Sequence, residues 1–185
     1  MNLVFLLEEP SAKNVLDILL PKLLPPGISF LTIQHRGKGD LRQSLPRKLR
    51  NWQTPGTHFF VLHDQDSSDC EALKEELLAI CRQAGRADTI VRIVCRELEA
   101  WYFGDLAAVE EAFPGNRLRH LSEKSSYRDP DTIVKPSGEL ERLIPGFYKG
   151  GASQTIPHYM NIDSNRSHSF QVFVQAVRNI CGATP

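Results

Sequence analysis

The run Phe59-Phe60-Val61-Leu62-His63 restricts the fold more than any other stretch of this chain. Four bulky apolar residues in succession read as a buried strand. The run ends in Asp64-Gln65-Asp66. A buried strand offers carboxylates no water, so the two aspartates must emerge at its C-terminal edge. Open α/β sheets place their ligand sites along that edge. Two neighbouring carboxylates repel each other, and a divalent cation relieves the repulsion. A similar apolar run, Leu3 to Leu7, also ends in an acid, Glu8. The sequence thus poses one question: whether Glu8, Asp64 and Asp66 meet.

The surrounding pattern alternates strand and helix. Residues 3–7 read as a first strand, and Ser11 as the N-cap of a helix carrying Val15, Leu16, Ile18, Leu19, Leu20 and Leu23. Pro25-Pro26-Gly27 ends that unit, and Ile28 to Ile33 forms a second strand. A basic amphipathic helix is expected from Leu41 to Trp52, with Pro46 as a break. The third strand is 58–63, followed by a helix from Cys70 to Ala84 with Gly85 as its C-terminal cap. Thr89 to Val94 is a fourth strand, and residues 97–113 read as one helix. This alternation predicts an α/β domain with a mostly parallel sheet covered on both faces. The expected division is a core over residues 1–113 and an extension over 114–185 packed on the same domain. Within the extension, residues 114–137 read as irregular, with helices at Gly138 to Leu143 and Ser169 to Ile180.

With 185 residues, 41% hydrophobic and 24% charged, the chain has the composition of a globular domain. Its formal net charge is zero, which removes the simple electrostatic case for free nucleic-acid binding and leaves only local basic patches. Cys70, Cys81, Cys95 and Cys181 have no CxxC pairing and no zinc-finger histidine spacing, so they read as reduced thiols. No apolar run reaches the ~20 residues that cross a bilayer. The N-terminal run has no basic segment before it and meets Glu8-Glu9 early, unlike a signal peptide. A cytoplasmic protein is expected.

Four groups of residues carry possible chemistry. Asp64 and Asp66, with Asp69 nearby, suit a hard cation if they converge, or else a capped turn. A calcium loop is excluded because its glycine position holds Asp69 and the preceding segment is β-rich. Glu8 fits a metal ligand or general base beside the aspartates. Arg96-Glu97-Leu98-Glu99-Ala100-Trp101 follows the fourth strand onto the same edge. On a helix Glu97 and Glu99 diverge by about 200°, so one of them faces the site and the sequence does not choose. His35, Arg36 and Lys38 with Gly37 and Gly39 suit a phosphate approach, supplemented by Lys149, Arg166 and His168 from the extension. No P-loop lysine-serine pattern is present. His63 reads as a packed histidine.

An apolar strand, a glutamate, a helix, and a later strand ending in Asp-x-Asp resembles the Toprim domain of topoisomerases, primases and certain nucleases. The resemblance implies a Toprim-like sheet and a catalytic magnesium (or manganese) ion held by Glu8, Asp64 and Asp66. Glu9 and Ala12 stand where Toprim loops usually carry glycine and a further acid, which departs from the pattern. The chain as a whole also resembles the bacterial domain-of-unknown-function 4276 family, through Leu7-Glu8-Glu9, Gly37-Lys38-Gly39, His63-Asp64-Gln65-Asp66, Arg96 to Trp101, Tyr148-Lys149, Arg166-Ser167 and Ser169-Phe170.

The expected function is a metal-dependent nuclease in which Glu8, Asp64 and Asp66 hold magnesium. Arg36, Lys38 and Lys149 would bind phosphate, and Asp69, Glu97 or Glu99 would stand behind the metal or hold a second one. The resemblance implies a partner ATPase in bacterial (phage) defence. Two other readings stand. Asp64-x-Asp66-x-Ser68 is similar to the haloacid-dehalogenase nucleophile motif, implying phosphomonoester hydrolysis, although that motif ends an early strand. A catalytically inactive Toprim-like module that binds a partner is the third.

Overall fold

A computed structural model, describing residues 1–182, places four parallel strands in one sheet. They are β1 (Asn2–Leu7), β2 (Ser29–Gln34), β3 (Thr57–Asp64) and β4 (Ile90–Val94), in the order β2-β1-β3-β4. The fold is α/β, with helices on both faces and a helical C-terminal region. Alternation along each strand divides the core. Leu3, Phe5 and Leu7 of β1 join Phe60 and Leu62 of β3 on one face. Val4 and Leu6 join Phe59 and Val61 on the other, under α2 (Lys38–Asn51) and α3 (Cys70–Gln83). Strands buried on both sides have to be apolar at every position, which is why β1 and β3 read as continuous runs.

The first face carries α1 (Pro10–Leu23), α4 (Ala100–Phe103), α5 (Leu106–Ala112), α6 (Pro136–Leu143), α7 (Lys149–Tyr159) and α8 (His168–Cys181). The C-terminal region packs directly on the sheet. Phe173 of α8 lies 6.2 Å from the Phe5 ring and 6.5 Å from Phe60, and those two rings stack at 4.8 Å. Trp101 lies between Phe170 and Phe173, at 5.0 and 5.3 Å. Its indole N–H donates to Ser169 Oγ at 3.1 Å, so the polar end is satisfied where the ring is buried.

Several local expectations change. The helix over 97–113 begins only at Ala100 and breaks at Gly104-Asp105. Asn165 presses on that break: a Cβ at Gly104 would meet its Oδ1 at 1.9 Å, so no side chain fits. Asp105 then caps α5 through the Ala108 amide at 3.1 Å. Helix α1 starts at Pro10, which places Ser11 inside its first turn and Glu9 at the N-cap. Helix α2 runs through Pro46 without ending. The extension contains an unexpected helix, α7, whose Gly150, Gly151 and Pro157 hide its period. The stretch 114–137 is irregular with three short 3₁₀ turns between Arg119 and Thr132. No helix among the described residues is long and apolar enough to cross a membrane.

Strand order reverses between β1 and β3: the chain passes from β1 outward to β2, then returns to the opposite side of β1. Ligand crevices of open α/β sheets lie at the carboxyl ends of strands at such a switch point. Leu7 is level with Leu62, and Asp64 with Val94, so Glu8, Asp64 and the residues after Val94 leave the sheet at one edge.

Candidate functional site

Glu8 and Asp64 meet across the switch point. One Glu8 carboxylate oxygen, Oε2, accepts the Asp64 backbone N–H at 3.0 Å and lies 3.0 Å from His63 Nδ1. The same ring nitrogen is 2.6 Å from the Asp64 carbonyl. Both partners are acceptors, so Nδ1 carries the proton. His63 is buried and orients Glu8, and its Nε2 has no partner. Burial pushes the Glu8 carboxyl up; His63 opposes this, while Asp66 and Glu9 add to it.

The Asp64 side chain points toward the turn that follows β4, where its Oδ2 accepts the Leu98 amide at 3.2 Å. The residue keeps partial exposure, but its carboxyl group is enclosed. Desolvation raises its pKa well above the ordinary range, followed by repulsion from Glu9, Glu99 and Glu8. Asp66 stands apart from Asp64. The strand stops at Asp64, and Asp66 adopts a left-handed conformation with φ of 51° while its amide donates to the Arg96 carbonyl at 2.8 Å. Its charge helps raise the Glu8 carboxyl, and it pairs with Lys38 at 3.5 Å.

The helix starts at Ala100, after both Glu97 and Glu99, which removes the helical basis for choosing between them. Residues 96–99 are not helical, so the 200° divergence does not apply there. Glu97 accepts the Ser137 amide at 2.9 Å and ties this turn to α6. Glu99 is fully buried, and neither of its carboxylate oxygens has a hydrogen-bond donor. The Lys149 ammonium at the start of α7 approaches Oε2 to 3.3 Å as an ion pair without hydrogen-bond alignment. Burial pushes the Glu99 carboxyl up to about 7, Lys149 pulls it down, and Glu9 and Glu97 push it further up. The neighbouring Tyr102 hydroxyl is also buried without a partner and raised by burial, Glu99, Glu9 and Asp64.

Other residues expected at the site have different places. Asp69 is the N-cap of α3, accepting the Ala72 amide at 2.8 Å. His35 is buried in the framework: Nδ1 bonds the Leu7 carbonyl and Lys48 bonds Nε2, both at 2.7 Å. Arg36 is exposed, with its amide donating to Asp40 at 2.9 Å. The Arg166 guanidinium donates to the Phe103 and Arg128 carbonyls at 3.1 and 3.0 Å, so it braces the extension. Glu9 and Tyr102 join the cluster with weaker sequence signals. Glu9 is adjacent to Glu8 at the N-cap position of α1, and Tyr102 lies three residues after Glu99, its amide donating to the Glu99 carbonyl at 3.0 Å.

A cleft of about 250 Å³ opens beside this cluster, lined by Asp66, Ser67, Arg96, Glu97, Val134 and Lys135. The profile of the family described as a domain of unknown function (DUF4276) matches residues 7–178. The chain belongs to the DUF4276 family. No curated protein and no solved structure matches it. The match spans β1 to α8, so the strand-end acids and the Lys149 helix lie within the DUF4276 region together.

The donor set has the chemistry of a hard cation site. Glu8, Glu9, Asp64 and Glu99 supply only oxygens, they repel one another, and both Glu99 oxygens lack donors. Among the described residues, no three or more His, Cys, Asp or Glu side chains converge as a ready set of metal ligands.

Proposed function

We propose that this DUF4276 chain is a magnesium- or manganese-dependent phosphodiester-processing protein, a nuclease of Toprim type acting on nucleic acid. The crowding of Glu8, Glu9, Asp64 and Glu99 at the switch point is the observation that carries this reading. Like charges so placed cost stability unless they serve a ligand, and perturbed acids in a cleft mark functional sites. Glu8 and Asp64 would hold the cation, with Asp66 or Glu99 completing its shell. A divalent ion there supplies Lewis-acid stabilisation of charge on phosphate and lowers the pKa of water.

The protein's own groups divide the remaining work. His63 fixes the orientation of Glu8 through Nδ1. Where Asp64 and its neighbours hold the cation without it, Glu8 would serve as the general base, its proton affinity raised by burial. Lys38, exposed beside Asp66, and Arg96 and Lys135 in the adjoining cleft would receive a phosphodiester backbone. Arg36 extends that basic surface from the same loop. Lys149 balances the charge of Glu99 and would be the phosphate contact supplied from the start of α7. A chain of zero net charge draws in polyanions weakly. Delivery of the substrate by a partner, an ATPase in a bacterial defence setting, and a cytoplasmic location complete the proposal.

The phosphomonoesterase alternative asks Asp64 to attack phosphorus as a free carboxylate. Its raised proton affinity and its hydrogen bond from Leu98 argue against that role. The test is to incubate the pure protein and its Asp64→Asn and Glu8→Gln variants with magnesium or manganese on DNA, RNA and an aryl phosphate ester. The nuclease reading expects metal-dependent cleavage of nucleic acid, reduced at least ~100-fold in both variants. Ester hydrolysis that survives in Glu8→Gln would favour the phosphatase. Folded protein with neither activity would leave the inactive partner-binding module.

A further inference from the structure

Strand β4 is an edge of the sheet, and its central residue is a cation: Arg92 interrupts the apolar run Ile90-Val91-Arg92-Ile93-Val94. Val91 and Ile93 face the core under α3, so Arg92 lies on the opposite face, toward α8, and is half-buried there. A guanidinium has five N–H donors, and one of them reaches the Val91 carbonyl at 2.9 Å. The Nε–H is buried without an acceptor, and among the described residues Arg92 has no acidic partner. Burial lowers its pKa and no acid opposes the shift. Proteins seldom take a charge out of water unless something pairs with it.

A cavity of about 160 Å³ lies against Arg92 at this edge. Lys74 of α3 and His168 of α8 line it as well, so N–H donors reach it from three elements. None of its lining residues is an acid. Asp131, which accepts the amide of the lining residue Ser169, commits its other oxygen to the Ser167 hydroxyl, both at 2.6 Å. Glu71, three residues before Lys74 on α3, is exposed and makes no ion pair with it. From this arrangement we propose that the cavity is an anion subsite that takes a phosphate-sized dianion, either free phosphate or the phosphate of a small monoester.

Size and charge select this ligand. Pockets for drug-sized ligands begin at ~300 Å³, so this one admits a compact anion and not a whole nucleotide. A guanidinium fork matches two phosphate oxygens, and a lysine adds a point charge. A dianion also balances two fixed cations, which a single carboxylate does not. Bound there, it would tie α3 to α8 across the open edge of β4. The cavity shares no lining residue with the cleft of Arg96, Glu97 and Lys135 beside the acidic cluster. The subsite therefore does not rest on the nuclease reading.

The full chain is titrated calorimetrically with inorganic phosphate at constant ionic strength, without metal or nucleic acid. The proposal expects saturable binding of one phosphate per chain, weakened at least ~10-fold in Arg92→Met and to a smaller degree in Lys74→Gln. Lys74 is exposed, so its variant reports on the site even if Arg92→Met folds poorly. Saturating phosphate should raise the melting temperature of the wild type and leave that of Arg92→Met unchanged. A parallel titration with phenyl phosphate separates the two sources. Tighter binding than inorganic phosphate assigns the site to a monoester, and equal or weaker binding assigns it to the free ion. No saturable binding in the wild type, or binding that survives in Arg92→Met and is lost in Lys135→Gln, would overturn the proposal.

Discussion

Glu99 combines complete burial, two donor-less oxygens and an ion pair with Lys149, and its titration links the site to stability. Its carboxyl is pushed from 4.5 to about 7, with desolvation the largest cause. A raised carboxyl binds more protons in the folded than in the unfolded chain. Its stabilising contribution is thus full below pH 4.5 and lost as pH rises through about 7. The two and a half pH units between those values correspond to roughly 3 kcal/mol at most. Glu99→Gln cannot ionise, so urea melts should find it gaining on the wild type from pH 5 to pH 8. A constant difference across that range would show that Glu99 does not titrate there. Sequence alone pointed to Glu8 and Asp64 because each ends a buried strand. The Glu99–Lys149 pair was not legible, since it depends on a helix that begins three residues late and on α7, whose glycines and proline conceal it.

Strand and helix elements explain which acids belong to the site and which to the scaffold. Asp69 accepts from Ala72 as the cap of α3. Asp69→Ala should lower stability by about 1 kcal/mol while leaving cation binding near the wild-type level. Thermal melts beside a metal titration check this, and a tenfold loss of binding would place Asp69 in the site instead. Strands β1 and β3 were readable because a strand buried on both faces has few polar positions to blur it. The helix expected over 97–113 was misread, because Asn165, 61 positions beyond Gly104, imposes the break through close contact. Such tertiary contacts leave no local signal. Glu97 is claimed by Ser137 of the extension for the same reason.

At the scale of the molecule, the C-terminal region completes the core under which the site is built. Phe173 packs on Phe5, Phe60 and Trp101, so Phe173→Ala should cost about 3–5 kcal/mol, seen as a fall in urea midpoint without a change in slope. A chain ending at residue 113 should then fail to unfold cooperatively. The acidic edge itself rests on carboxyls that hold protons more tightly than usual, so a cation that binds them must displace protons. Affinity should therefore rise with pH, with calorimetry in two buffers of different ionisation enthalpy reporting proton release. The most direct measurement is a manganese titration followed by electron paramagnetic resonance on the wild type, Glu8→Gln and Asp64→Asn. Saturable binding in the wild type that is lost in both folded variants is the predicted result. No binding in the wild type, or equal binding in all three, would contradict a cation site at the ends of β1 and β3.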